Sequence, residues 1–301
     1  MELDHVEAFV AVARLGSDSR ATSVLHLSQP AISRRLHLLE DELGVPLFDR
    51  LRTGVRINDA GRVFMRHADA MLASMRDGVD AVNALRDVPT GVVTLALVGT
   101  LASTPLTDRL RRFAEKYPRV DLRLRTALSA EVSALVVSGQ ASLGLRYGAD
   151  ADPHLVSTIV NQERLIPVCA TGHRLARMTR VSARALARER WLAFPSHSTP
   201  AREPYTASLT ERLAANGLSA SEIVHVDSLT AQKRMIEAGF GLGLLPESSV
   251  TEELRAGTLL ALKVTGLRAR IPVALLYRQR AFQSRATKTL VSLLSEWTRQ
   301  V

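Results

Sequence analysis

Residues 28–44 constrain this chain more than any other stretch. Ile32, Leu36, Leu39 and Leu43 recur at intervals of four, three and four, and at about 100° per residue they fill one narrow arc of a helix. Pro30, Ser33, Arg34 and His37 fall together on the opposite side. Ser28 stands where an N-cap belongs, Pro30 is tolerated in a first helical turn, and Gly44 with Pro46 just beyond ends the run. So narrow an apolar stripe needs partners. The preceding residues supply them: Leu3, Val6, Phe9, Val10 and Ala13 are spaced as one helix, Gly16-Ser17 breaks it, and Ser17 or Ser19 caps a second short helix to about Leu25. His26-Leu27-Ser28 then turns into the third helix. A short helix, a tight turn and a second helix with a small-polar and arginine outer face is the helix-turn-helix pattern. Its second helix can enter the DNA major groove, where Arg bridges guanine O6 and N7 and Gln or Ser reaches base edges. Two amphipathic helices with a merely solvated arginine face have the same periodicity, so the pattern alone leaves both readings open.

Beyond Gly44, Asp49-Arg50-Leu51-Arg52 and Val55-Arg56-Ile57 flank Thr53-Gly54 and read as a β-hairpin or wing. Asn58 to Gly61 opens a long helix to about Leu85. In it Phe64, Ala68, Met71, Met75, Gly78, Val82 and Leu85 alternate spacings of four and three, a heptad seam. A helix packed on its own domain shows such a seam, as does one that pairs with a second copy. The hinge-like Asp87-Val88-Pro89-Thr90-Gly91 after it favours pairing. From Val92 strands and helices alternate, which predicts a largely parallel sheet covered on both faces. The expected crossover strands lie near 155–165 and 260–270.

Charge is less informative than its total. The 301 residues hold 39 Lys+Arg against 30 Asp+Glu, a formal net charge of +9. Residues 1–90 nevertheless contain 11 Arg and 13 acids, while residues 91–301 contain 28 Lys+Arg and 17 acids. A nucleic-acid argument from the overall charge would credit the wrong part of the chain. Arg174, Arg177, Arg180, Arg184, Arg188 and Arg190 form a helical-spaced basic stripe, read first as a solvated face. No apolar run reaches the roughly 18 residues of a membrane span, and the acidic N-terminus does not look like an export signal. A cytoplasmic protein without membrane contact is expected. The lone Cys169 can form neither an internal disulfide nor a multi-cysteine zinc site. Nor is there a metal-binding histidine motif or a G-x-S-x-G elbow, so no metal, cofactor or catalytic residue is expected. Gly239, Gly241 and Gly243 are spaced G-x-G-x-G after a helix, not as a dinucleotide fingerprint.

The N-terminal segment resembles the LysR-type transcriptional regulators. The matching residues are Phe9 to Ala13, Gly16-Ser17, Leu25 to Arg34, Leu39 to Arg50 and Ala60-Gly61. Looser matches continue at Tyr117-Pro118, Leu143 to Arg146, Pro167-Val168 and Gly239 to Pro246, so the resemblance covers essentially the whole chain. It departs at Asp18, where an aromatic is usual, at Thr22, where Ala is usual, and at Ser142, where Asp is usual. The resemblance implies base or phosphate contacts by Gln29, Pro30, Ser33 and Arg34, with Arg50, Arg52 and Thr53 at or near the wing. The fold it implies is α/β overall. An N-terminal winged helix-turn-helix (residues 1–58) is followed by a long linker and dimerisation helix (59–87). A C-terminal effector-binding domain (91–301) resembles the periplasmic binding proteins, with subdomain I at 91–162 and 266–301 and subdomain II at 163–265. A homodimer through the linker helix and a homotetramer are expected, with double-stranded operator DNA and a small-molecule effector as partners.

The effector site is placed by helix termini. Gly99 to Ser103 follows the first strand of the α/β region and leads into a helix with Thr104 and Pro105 in its first turn. Ser129 is read as the cap of the next helix, opening at the same sheet edge. Helix N-termini attract anions, and open α/β sheets bind ligands at the carboxyl edge. The expectation is a small anionic effector held by Thr100, Ser103, Ser129, Ser196, Ser198 and Thr199, with Arg146 adding a charge. For any one of these hydroxyls, capping a helix is the plainer role. Two rival functions remain: a small-molecule enzyme, opposed by the missing catalytic constellation, and a plain solute-binding protein, opposed by the first 60 residues.

Overall fold

The signals read at Gly16, Ser17, Ser28 and Gly44 bound the first three helices where the sequence placed them. A computed structural model of the chain describes residues 1–51, 54–85, 91–194, 204–218, 221–264 and 266–297. Helix α1 (Leu3–Leu15) ends at Gly16, in the left-handed conformation that glycine adopts freely. Ser17 caps α2 (Asp18–Leu25), and Ser28 caps α3 (Gln29–Leu43), which stops at left-handed Gly44. Strands β1 (Phe48–Leu51) and β2 (Gly54–Ile57) pair antiparallel as the wing, with Asp49 opposite Arg56. The side-chain oxygen of Asn58 caps α4 (Asp59–Asn83), accepting from the Gly61 N–H at 2.9 Å. Gly61 itself is needed here, because a Cβ would lie 2.3 Å from the Leu47 carbonyl oxygen.

Contacts group residues 1–87 with Val137–Gln140 and Ala281–Gln283 in one unit, and the remainder in a second. In the first unit Ile32, Leu36 and Leu39 are buried beside Val6, Phe9, Val12 and Leu47. Phe9 is central, with ring centroids 5.4 Å from Phe48 and 5.1 Å from Phe64. Glu40 ties the recognition segment to the wing by accepting the Leu47 N–H at 2.7 Å. The linker seam divides. Phe64, Ala68 and Met71 pack into this same core, whereas Met75, Val82 and Leu85 of the seam are exposed, as is Val79 beside them. Of the two uses open to a heptad, the first half of α4 therefore serves its own unit.

The second unit is built on one nine-stranded sheet. In chain order its elements are β3 (Gly91–Val98), α5 (Thr104–Lys116), β4 (Val120–Ala127), α6 (Ser129–Val137), β5 (Leu143–Tyr147) and the long β6 (Leu155–Ala170). There follow α7 (Ala183–Leu186), β7 (Trp191–Ala193), α8 (Pro204–Ala215), β8 (Ile223–His225), α9 (Leu229–Glu237) and β9 (Leu242–Pro246). Last come α10 (Thr251–Ala256), β10 (Leu259–Ala261), β11 (Ala269–Arg278) and α11 (Arg285–Ser295). The strand order is β4-β3-β5-β11-β6-β9-β7-β8, with β10 also on β6.

Strand β6 is the spine. Its residues 155–165 pair with β11, and Leu165 to Val168 pair with β9. One continuous strand thus joins a half-sheet of β3, β4 and β5 to a half-sheet of β7, β8 and β9. The sheet is mixed, not largely parallel. Pairs β3–β4, β3–β5, β7–β8 and β7–β9 are parallel, and every pairing of β6 and β11 is antiparallel. Returning the chain beside β6 requires that reversal, which helix-strand alternation does not reveal.

One further expectation changes. No single helix runs through the basic stripe: residues 174–177 form a 3-10 turn and α7 spans only four residues. Arg174 there pairs with Glu189, and Arg190 with Glu222 at 2.9 Å. Gly241 and Gly243 serve packing, since a Cβ on Gly241 would lie 2.6 Å from the Arg190 carbonyl oxygen and one on Gly243 would lie 2.5 Å from Ile236. Among the described residues no helix is long and apolar enough to cross a membrane.

Candidate nucleic-acid interface and effector cleft

The outer face of α3 is fixed by what its inner face buries. With Ile32, Leu36 and Leu39 in the core, Gln29, Pro30, Arg34 and His37 are exposed and Ser33 is half-buried. The Ser28 hydroxyl accepts from the Ala31 N–H at 3.4 Å, leaving the helix start facing outward. Ion pairing then sorts the arginines. Arg35 pairs with Asp4 at 2.9 Å, Arg56 with Asp49 at 3.3 Å, Arg62 with Asp59 and Arg14 with Asp69. Arg20, Arg34 and Arg50, all exposed, have no ion pair among the described residues. A unit with more acids than bases thereby keeps uncommitted cations on α2, on α3 and on the wing. The other wing residues expected to act, Arg52 and Thr53, lie outside the described residues.

The departures from the resembled pattern fall at α2 and β5. Thr22 turns its hydroxyl onto the Ser19 carbonyl at 2.6 Å, and Asp18 has one carboxylate oxygen buried without a partner. Ser142 is absorbed in sheet structure, accepting from the Thr94 N–H at 3.3 Å.

In the second unit a cleft of about 700 Å³ opens along the carboxyl ends of the parallel strands. Thr100 and Ser103 line it after β3, Leu128 and Glu131 after β4, and Tyr147 ends β5. From the other half-sheet come Phe194 after β7, Asp227 to Thr230 and Lys233 around the start of α9, and Ser248, Ser249, Thr251 and Glu252 after β9. Helices α5, α6 and α9 all begin at this edge. Thr100 Oγ1 and the Tyr147 hydroxyl hydrogen-bond at 2.8 Å. Ser103 precedes α5 without capping it, and its buried Oγ has no partner.

Of the residues expected to hold an effector, the structure brings Thr100 and Ser103 together and places two elsewhere. Ser129 is the first residue of α6, and its hydroxyl accepts from the Tyr147 N–H at 3.3 Å. Arg146 is turned to Asp150 in a close ion pair and donates to Ser133 at 2.7 Å. Burial alone would raise the Asp150 pKa, but the Ser133 hydroxyl, the Asp152 N–H and Arg146 outweigh it and hold the carboxyl below its usual range. Ser196, Ser198 and Thr199 lie outside the described residues. The charge of the lining also departs from expectation: Glu131, Asp227 and Glu252 are acidic, and Lys233 is already paired with Glu253 at 2.5 Å. These acids escaped the sequence reading because each follows a different strand, Glu131 and Glu252 in the first turns of α6 and α10 and Asp227 just before α9, so no local motif joins them.

Among the described residues, Glu2, Asp4 and His5 bring ligand atoms within 4.8 Å of one another, but Asp4 is engaged by Arg35. The thiol of Cys169 is buried in β6, and burial, reinforced by Glu189, pushes its pKa to about 11.

A winged helix-turn-helix with an outward arginine face, joined in one chain to a two-halved α/β unit with a polar cleft, defines the class of ligand-responsive DNA-binding regulators. Residues 3–62 match the family "Bacterial regulatory helix-turn-helix protein, lysR family", and residues 86–299 match "LysR substrate binding domain". A curated relative, the HTH-type transcriptional regulator YybE of Bacillus subtilis, is 26% identical over 82% of this chain and 83% of its own. A full-length OxyR variant from Pseudomonas aeruginosa superposes with a TM-score of 0.74 at 17% identity, covering 99% of this chain and 97% of that one. Full-length CbnR in complex with its target DNA gives 0.67 at 22% identity, covering 99% and 100%. The chain belongs to the LysR family of DNA-binding transcriptional regulators.

Proposed function

We propose that this chain is a cytoplasmic regulator that reads operator DNA with the start of α3 and acts by binding, not by catalysis. Gln29, Pro30, Ser33 and Arg34 would face base edges and phosphates in the major groove, and Arg50, Arg52 and Thr53 would take phosphates from the wing. The observation that carries this reading is Arg34, exposed on the outer face of α3 and without an ion pair among the described residues, while its neighbour Arg35 is bound to Asp4. The similar CbnR is solved in complex with its target DNA, which supports DNA as the partner. The exposed Met75, Val79 and Val82 of α4 would pair two copies, and two such dimers would form a homotetramer. Residues 1–58, 59–87 and 91–301 would then be the DNA-reading, dimerising and effector-binding parts. In the last of these, 91–162 with 266–301 and 163–265 would be the two subdomains. The cleft would take a small-molecule effector and bias the arrangement of the DNA-reading units.

Recovery and sequencing of genomic fragments retained by the full-length protein tests the reading. A shared sequence with two-fold symmetry is expected. Retention of fragments with no common sequence contradicts it.

A further inference from the structure

We propose that the effector carries a positively charged nitrogen, an ammonium or guanidinium group, received by Glu131, Asp227 and Glu252. This rests on the reading of the cleft as the effector site and adds the chemical class of the ligand.

Glu131 lies in the first turn of α6 after β4, Asp227 between β8 and α9, and Glu252 in the first turn of α10 after β9, so both half-sheets contribute to the acidic lining. They gather in the part of the chain that holds 28 Lys+Arg against 17 acids, where a random cleft would be basic. Each is exposed to the cleft, and none has an ion pair or side-chain hydrogen bond among the described residues. Lys233, the only cation among the described lining residues, is matched by Glu253 and donates to the Ser249 carbonyl at 3.2 Å. Its charge is spent inside the protein. An anion entering here would meet three uncompensated carboxylates, whereas a cation would be concentrated by them.

A second observation is independent of the acids and points to a ligand. Ser103 is 6% exposed and lines the same cleft, yet its Oγ has no hydrogen-bond partner. A buried hydroxyl left unsatisfied is costly, and a ligand atom at this position would complete it. A ligand that satisfies both observations offers an acceptor to Ser103 and a cationic nitrogen to the acids, as a basic amino acid does.

Calorimetric titration of the full-length protein at one ionic strength, with L-arginine and putrescine as cations and benzoate and succinate as anions, tests the inference. L-arginine or putrescine should bind, and the anions should not. Glu131→Gln, Asp227→Asn and Glu252→Gln should each weaken cation binding about tenfold, the loss of one charge-assisted hydrogen bond. Ser103→Ala should weaken L-arginine, and operator binding without ligand should be unchanged in all four variants. If an anion binds, is weakened by Ser103→Ala and is tightened by the amide variants, the cleft is the effector site and the cationic class is wrong. Failure of both cations to bind at millimolar concentration, or binding indifferent to the three amides, also overturns the proposal. If Ser103→Ala alters no probe of either sign, the reading of the cleft as the effector site falls as well.

Discussion

Glu163 is the most consequential buried charge in the second unit. It stands on β6 opposite Ile271 of β11, is 5% exposed, and accepts the Ser248 N–H at 3.4 Å. Burial raises its pKa above the ordinary 4.5, more than the Ser248 N–H offsets. A carboxyl with a raised folded pKa favours the fold when protonated. Its contribution is complete below the unfolded value and is lost as pH rises through the folded one. Glu163→Gln keeps the acceptor oxygen and removes the charge. The melting temperature should therefore rise by about 2–4 °C near neutral pH, with the gain vanishing below pH 4.5. A scanning-calorimetry series over pH would show it, and an equal gain at every pH would refute the titration. Cys169 gives the contrasting case. A buried thiol with its pKa near 11 stays protonated and unreactive at neutral pH. Cys169→Ala should leave operator binding and its response to peroxide unchanged, as read by electrophoretic mobility shift. A lost oxidant response in a folded variant would assign the thiol a redox role.

At the scale of elements, periodicity located α4 but could not divide it. A heptad shows where apolar side chains point, and both a tertiary neighbour and a second copy satisfy it. The division becomes visible only with the core around Phe9, which takes Phe64 and Met71 and leaves Met75, Val79 and Val82 outside. The two halves should respond differently to the same substitution. Met71→Asp sets a charge against the core on a half-buried position and should destabilise the first unit by about 1–3 kcal/mol. The pair Met75→Asp with Val79→Asp should leave its melting unchanged and reduce the assembled mass in sedimentation velocity. Unchanged mass would remove this stripe from the dimer interface. Ser129 shows the same limit from another side. Its place at the start of α6 was legible, but its hydroxyl is taken by the Tyr147 N–H, a partner that only strand pairing reveals.

At the scale of the whole chain, the helix-turn-helix was readable because its signals are local: Ser28, Pro30 and Gly44 bound α3, and the Ile32 to Leu43 arc orients it. The cleft was readable only in part. Its Gly99 to Ser103 edge follows from the rule that ligands sit beyond the ends of parallel strands. Asp227 and Glu252 depend on β7, β8 and β9 being neighbours, which no local pattern encodes. Net charge was uninformative for a related reason, because pairing, not composition, decides which arginines are available.

Arg34 tests the central claim most directly. DNase footprinting of full-length protein on a recovered operator should show two half-sites about one helical turn, or a multiple of it, apart. Arg34→Ala should abolish that footprint at equal protein concentration, losing roughly 1–3 kcal/mol of binding with its melting temperature unchanged. An identical footprint at the same concentration with folded Arg34→Ala would contradict the account.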